Sequence, residues 1–142
     1  MDSNVLSLLT PEEVEKIGGL PVKAICGEFE GDELLPEFFR VNPAFVDFMH
    51  SVIGTKGSGV LSLTEAAKNQ KEGYLYVIDF RTPKGILGNV PSEDIIGAFK
   101  VENGKVIENS YQRNESHKIY TKNGLVKLPP GLYELLIEEL KK

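Results

Sequence analysis

The chain has 142 residues, 41% hydrophobic and 26% charged, with a formal charge of −5. That size and mixture suit one soluble globular domain and exclude a disordered chain or a miniature scaffold that depends on disulfides. The acidic balance disfavours a nucleic-acid partner, and no segment approaches the ~18 apolar residues of a membrane span.

Cys26 is the single cysteine, which permits no internal disulfide and fits a buried thiol in a reducing cytoplasm. Residues 1–9 lack the basic region of a secretory signal, so a cytoplasmic protein is expected.

Thr10-Pro11-Glu12-Glu13 has the pattern of a capping box with proline at the first helical position, and Gly18-Gly19 marks the stop. Val22-Lys23-Ala24-Ile25-Cys26 alternates weakly, as a short strand or an extended connection. Asp32 opens a short turn carrying Leu34, Leu35, Phe38 and Phe39. Asn42-Pro43 then starts a second helix, whose Phe45, Phe48, Met49, Val52 and Ile53 form a core stripe before Gly54. Thr55-Lys56-Gly57-Ser58-Gly59 reads as a loop and lacks the order of a phosphate-binding Walker sequence. A third helix follows Ser62 or Thr64 and ends near Gly73.

The rhythm changes there. Tyr74 to Phe80 is rich in aromatic and β-branched residues and is expected as a central strand. Thr82-Pro83-Lys84-Gly85 turns the chain, and Pro91 to Asp94 forms a further turn or one helical turn. Ile95 to Val101 and Lys105 to Ile107 pair around Asn103-Gly104, and His117 to Thr121 and Leu125 to Leu128 pair around Asn123-Gly124. After Pro129-Pro130-Gly131, Leu132, Leu135, Leu136, Ile137 and Leu140 line a C-terminal helix ending in two lysines.

The expected architecture is one α+β domain over residues 1–142. Residues 1–73 are mainly helical, 74–128 form an antiparallel β-meander of about five strands, and the helices, including the C-terminal one at 129–142, pack on one face. Neither a linker nor an internal repeat of solenoid length is expected.

No sequence motif implies a metal or a cofactor; His50 has no second ligand at a suitable spacing. Three sets of residues remain as candidates. Glu28, Glu30, Asp32, Glu33 and Glu37 follow one another with no Lys or Arg between them, in a first half that carries −6 against +1 for the rest. This is either a solvated face or a surface for a basic protein. Tyr111, Arg113 and Asn114 belong to the aromatic-plus-arginine mixture enriched at protein interfaces. Asp79, Arg81 and His117 could serve acid–base chemistry if they met; Asp79 and Arg81 are more simply a pair on one strand face, and His117 a surface residue at a strand start. Glu93 and Asp94 suit turn capping, and Gly97 within a β run marks a bulge or the close approach of a bulky side chain.

The segments Tyr76-Val77-Ile78-Asp79-Phe80-Arg81, Val90 to Gly97 and Ser110-Tyr111-Gln112-Arg113-Asn114 resemble small bacterial proteins encoded beside secreted polymorphic toxins, which are typically immunity proteins. The resemblance covers the second half of the chain. It implies a non-enzymatic cytoplasmic inhibitor that occludes a basic toxin domain through an acidic surface, and it supplies no catalytic residue. Two other classes stay open: a small-molecule or peptide-binding accessory module using a cleft near Tyr74, Tyr76 and Phe99, and a small hydrolase or transferase built on Asp79, Arg81 and His117. Pairing of an exposed sheet edge leaves a homodimer open as well.

Overall fold

The computed structural model describes residues 3–81 and 90–142. Where the sequence carries local capping chemistry, the helices follow it. In α1 (Pro11–Ile17) the Thr10 hydroxyl accepts from Glu13 N, the Glu13 carboxylate accepts from Thr10 N, and Gly18 ends the helix in the left-handed conformation. Helix α2 (Pro43–Lys56) is capped by Asn42 and buries Phe45, Met49, Val52 and Ile53, each worth about 1.5–3 kcal/mol relative to exposure.

It does not stop at Gly54. The loop expected over Thr55 to Gly59 is instead the last turn of α2 followed by a 3₁₀ turn, Gly57–Gly59. Gly54 and Gly57 serve close packing: Gly54 lies under the Tyr111 ring, and Gly57 lies against Leu132 and Phe99. Helix α3 (Leu61–Gln70) begins before both expected caps, because Ser62 Oγ donates to Pro130 O and Thr64 Oγ1 to Leu61 O. Helix α4 (Leu132–Leu140) packs on α2 and buries Leu132, Leu136, Ile137 and Leu140.

The first half is less helical than its sequence implies. Strands β1 (Ser3–Ser7), β2 (Ile25–Glu30) and β3 (Arg40–Val41) form an antiparallel sheet with β2 in the middle. Strand β1 was hidden because its apolar residues face both ways: Leu6 packs on the core while Val5 is exposed. A 3₁₀ turn, Val22–Ala24, leads into β2, and another, Pro36–Phe38, precedes β3.

In the second half β5 (Ile95–Glu102) is central, pairing with β4 (Gly73–Ile78), β6 (Lys105–Val106) and β7 (Gln112–Arg113). Strand β4, expected at the centre, pairs with β5 alone among the described residues. Strands β8 (Tyr120–Thr121) and β9 (Gly124–Leu125) make a separate two-stranded sheet. The α+β class stands, but three small antiparallel sheets replace the single meander.

Asn103 and Gly104, at φ 54° and 73°, close the first hairpin in the type I′ manner. The second tight turn is Lys122-Asn123, one residue earlier than expected, since Thr121 faces Gly124. The turn expected over 82–85 lies outside the described residues.

Two of these sheets are the same device used twice. Pro21-Val22-Lys23-Ala24-Ile25-Cys26-Gly27-Glu28-Phe29 and, 70 residues later, Pro91-Ser92-Glu93-Asp94-Ile95-Ile96-Gly97-Ala98-Phe99 share Pro-x-x-x-Ile-x-Gly-x-Phe. Each segment makes a 3₁₀ turn and then a strand, and each strand pairs with the preceding one through a register shift, at Leu6/Ser7 and at Val77/Ile78.

An asparagine locks each unit. Asn42 Nδ2 donates to Val22 O (3.0 Å) and Ile25 O (2.8 Å), and Asn114 Nδ2 donates to Ser92 O and Ile95 O (both 2.8 Å). Their backbone amides match too, bonding Cys26 O and Ile96 O. An aromatic ring lies over each strand glycine: a Cβ on Gly27 would fall 2.7 Å from Phe39 Cε1, and one on Gly97 2.6 Å from Tyr111 Cζ. Gly97 therefore marks close approach, one of the two expected roles. This two-unit repeat was not expected; it is much longer than a solenoid period, and its shared residues are few. Buried residues of both units belong to one core with α2 and α4.

Candidate functional site

Strand β4 runs out at Asp79, where Asp79 N donates to Asp94 O at 2.8 Å and holds the chain against the 3₁₀ turn Ser92–Asp94. The Asp79 carboxylate then makes four contacts with three residues. Oδ1 accepts from Arg81 N (3.1 Å) and Lys127 N (2.9 Å), and Oδ2 lies 3.3 Å from Arg81 Nε and 3.1 Å from His117 Nε2.

Arg81 Nε also reaches Asp94 Oδ1 at 2.9 Å. Its Nη1 donates to Ile119 O (2.9 Å) and Gly124 O (3.0 Å), and its Nη2 to Glu93 O (3.1 Å) and Lys118 O. A planar guanidinium with five N–H donors suits this task, because it can tie separate stretches of backbone together in one plane.

Asp79, Arg81 and His117 therefore converge, with Asp94 as a fourth member. The cluster is sealed: side-chain exposure is 0% for Asp79 and Asp94 and 2% for Arg81 and His117. His117 is thus buried and does not sit on the surface. Two carboxylates face one guanidinium, which leaves a formal −1 behind the imidazole when His117 is neutral. Every Arg81 donor is committed to the chain's own acceptors, so the cluster works as a tie between β4, the 3₁₀ turn and the 117–125 segment.

The outer side of His117 borders a cavity of about 300 Å³ between the two units. Phe39, Val41, Val46 and His50 line it from the first half, and Arg113, His117, Lys118 and Tyr120 from the second. His50 Nδ1 lies 2.7 Å from the Tyr111 hydroxyl. Among the described residues that partly buried hydroxyl makes no other hydrogen bond, and donation of its hydrogen to Nδ1 leaves the imidazole proton on Nε2.

Burial, reinforced by Arg113 and His117 nearby, pushes His50 down to about 4 against the opposing pull of Asp47, so it is neutral at pH 7. Burial raises the Tyr111 phenol well above its ordinary value. In the core, burial pushes the Cys26 thiol up to about 12, as an inert packed side chain requires.

The other predicted residues have varied surroundings. Arg40 crosses from β3 to pair with Glu28 (3.1 Å) and Glu30 (3.7 Å), a cation that the linear spacing did not reveal. Asp32, Glu33 and Glu37 are exposed and form no ion pair among the described residues. Tyr111 covers Gly97 and Gly54. Arg113 Nη1 holds Asp47 at 2.9 Å, and Asn114 is the lock described above.

Among the described residues Tyr74, Tyr76 and Phe99 do not share the expected cleft: the tyrosines are 54% and 56% exposed on the outside of β4, and Phe99 is fully buried. Asp94 and His50 are the members that sequence reasoning missed. Each carried a signal: Asp94 occupies the repeat position of Ala24, and His50 is polar within the apolar stripe of α2, where a buried imidazole needs a partner.

Among the described residues no group of three or more His, Cys, Asp or Glu side chains is placed to hold a metal ion, and no helix is long and apolar enough to cross a membrane. Among the described residues no Ser, Thr or Cys borders the cavity. Comparison with family models, curated proteins and solved structures finds no match.

Proposed function

We propose that this protein acts by binding another protein, as an inhibitor of the immunity type that occupies the basic cleft of a toxin domain. The observation that carries the reading is the acidic strip after β2. Once Arg40 is paired with Glu28 and Glu30, Asp32, Glu33 and Glu37 remain exposed and without an ion pair among the described residues. Such a strip speeds encounter with a basic surface and offers carboxylates where phosphates would bind. Commitment of the Asp79–Arg81–Asp94–His117 cluster to internal bonds supports binding over reaction.

The test is capture from the lysate of the source cell with two baits, the native chain and a variant carrying Asp32→Lys, Glu33→Lys and Glu37→Lys. The expected result is one basic protein held by the native bait, released by moderate salt and lost with the variant. Equal retention by both baits, or retention of no protein, would overturn the proposal.

A further inference from the structure

The cavity between the two units has polar equipment that neither the fold nor the acidic strip uses. His50 and His117 each fix one ring nitrogen inside the protein, on Tyr111 and on Asp79. The second nitrogen of each has no protein hydrogen-bond partner among the described residues, and both rings line the same cavity. On His50 that nitrogen is the N–H donor Nε2. On His117, Nε2 donates to the carboxylate, which leaves Nδ1 as the outward nitrogen.

Arg113 adds a second donor. Its Nε is buried and lies 3.2 Å from Glu115 Oε1, yet the N–H is not directed at that oxygen and has no hydrogen-bond acceptor among the described residues. A buried donor without an acceptor is costly and uncommon, and a small rotation of the guanidinium toward an acceptor in the cavity that Arg113 lines would satisfy it. Lys118 contributes a third donor group.

The rest of the wall is apolar. Phe39 and Tyr120 stand with ring centroids 5.5 Å apart, beside Val41 and Val46. Donors on one side, beside the Glu115 carboxylate that also borders the cavity, and an apolar wall on the other describe a ligand with a hydrogen-bond-accepting head and an apolar body. A cavity near the lower end of the usual size range limits that body to less than a typical drug.

From this geometry we infer that the cavity is a binding site for a small carboxylate with a planar apolar body, its head on Arg113, Lys118 and His50 and its body against Phe39 and Tyr120. Neither unit builds this site alone, since Phe39 and His50 come from the first half and Arg113, Lys118 and Tyr120 from the second. Its residues differ from the acidic strip, so either proposal can fail without the other.

Benzoate is the first probe, with benzamide as its neutral counterpart and inorganic phosphate as an anion lacking the apolar body. The full-length protein is titrated at pH 7 while the ring resonances of His50 and His117 are followed by NMR and the heat by calorimetry. Benzoate is expected to move both histidines saturably, with benzamide and phosphate each weaker by about tenfold or more, as expected when one charge-assisted bond or the apolar contact is missing.

Arg113→Gln, at a partly exposed position, and Val41→Glu, at an exposed position on the rim, should each weaken benzoate by about tenfold. Thermal unfolding of both variants serves as the folding control. Absence of saturable shifts with benzoate would overturn the inference, as would equal binding of all three probes or unchanged benzoate affinity in both folded variants.

Discussion

Asn42 and Asn114 make the same pair of side-chain bonds to a 3₁₀ turn and the same backbone bond to a strand, yet the spaces beside them are filled in opposite ways. In the first unit the positions matching Asp79, Asp94 and His117 are Leu8, Ala24 and Phe45, which belong to or pack against the apolar core. In the second unit the same positions hold a buried ionic cluster around Arg81.

The outer faces differ as well. Val5, Glu28 and Arg40 form the outward row of the first sheet, and Tyr76, Ala98 and Gln112 the matching row of the second. One backbone scaffold thus tolerates two kinds of interior, provided that turn and strand carbonyls keep their donors. The polar version ties down more chain: Arg81 alone holds four backbone carbonyls from the 93–124 region.

The comparison breaks most visibly at Arg81. Arg81→Met leaves two buried carboxylates and four carbonyls without their shared donor, and should cost about 3–5 kcal/mol of unfolding free energy in urea titrations. A loss below 1 kcal/mol would show that the ionic cluster is no more than a filled space.

The next effect belongs to His50. Its pKa in the folded protein, about 4, is below the ordinary 6.5, so the unfolded chain binds the extra proton between those values. The resulting stability is fully present above about pH 6.5 and disappears as pH falls toward 4, to a total of about 3 kcal/mol. Urea unfolding across that interval should show a steeper loss in the native protein than in His50→Gln. Parallel curves would mean that the imidazole keeps its ordinary titration.

The smallest effect sharpens the likeness of the two units. Gly27→Ala and Gly97→Ala each press a methyl group onto an aromatic ring, and overpacking of this kind costs about 1–3 kcal/mol. Gly27→Ala should be the worse, because Arg40 O is also in the way and a backbone oxygen yields less than a ring. Thermal unfolding of the two variants side by side gives the order, and the reverse order would mean that the Tyr111–His50 bond stiffens its ring more than the backbone stiffens the other.

The sequence by itself determined the parts whose cause is local. The capping box at Thr10, the Asn42 cap and stripe of α2, the Asn103-Gly104 turn and the apolar side of α4 each depend on neighbours within a turn or two, and each formed as expected. Tertiary structure decided the rest. Strand β1 is recognisable only against β2, and β5 rather than β4 became central because the distant β7 segment returned to its open side.

The site was half legible. Asp79, Arg81 and His117 stood out as residue types, but their meeting depends on the 117–125 segment folding back onto the end of β4, a contact between residues some forty positions apart. His50 and Arg113 reach one cavity for the same reason: each is positioned by its own unit, and only the packing of one unit against the other brings them together.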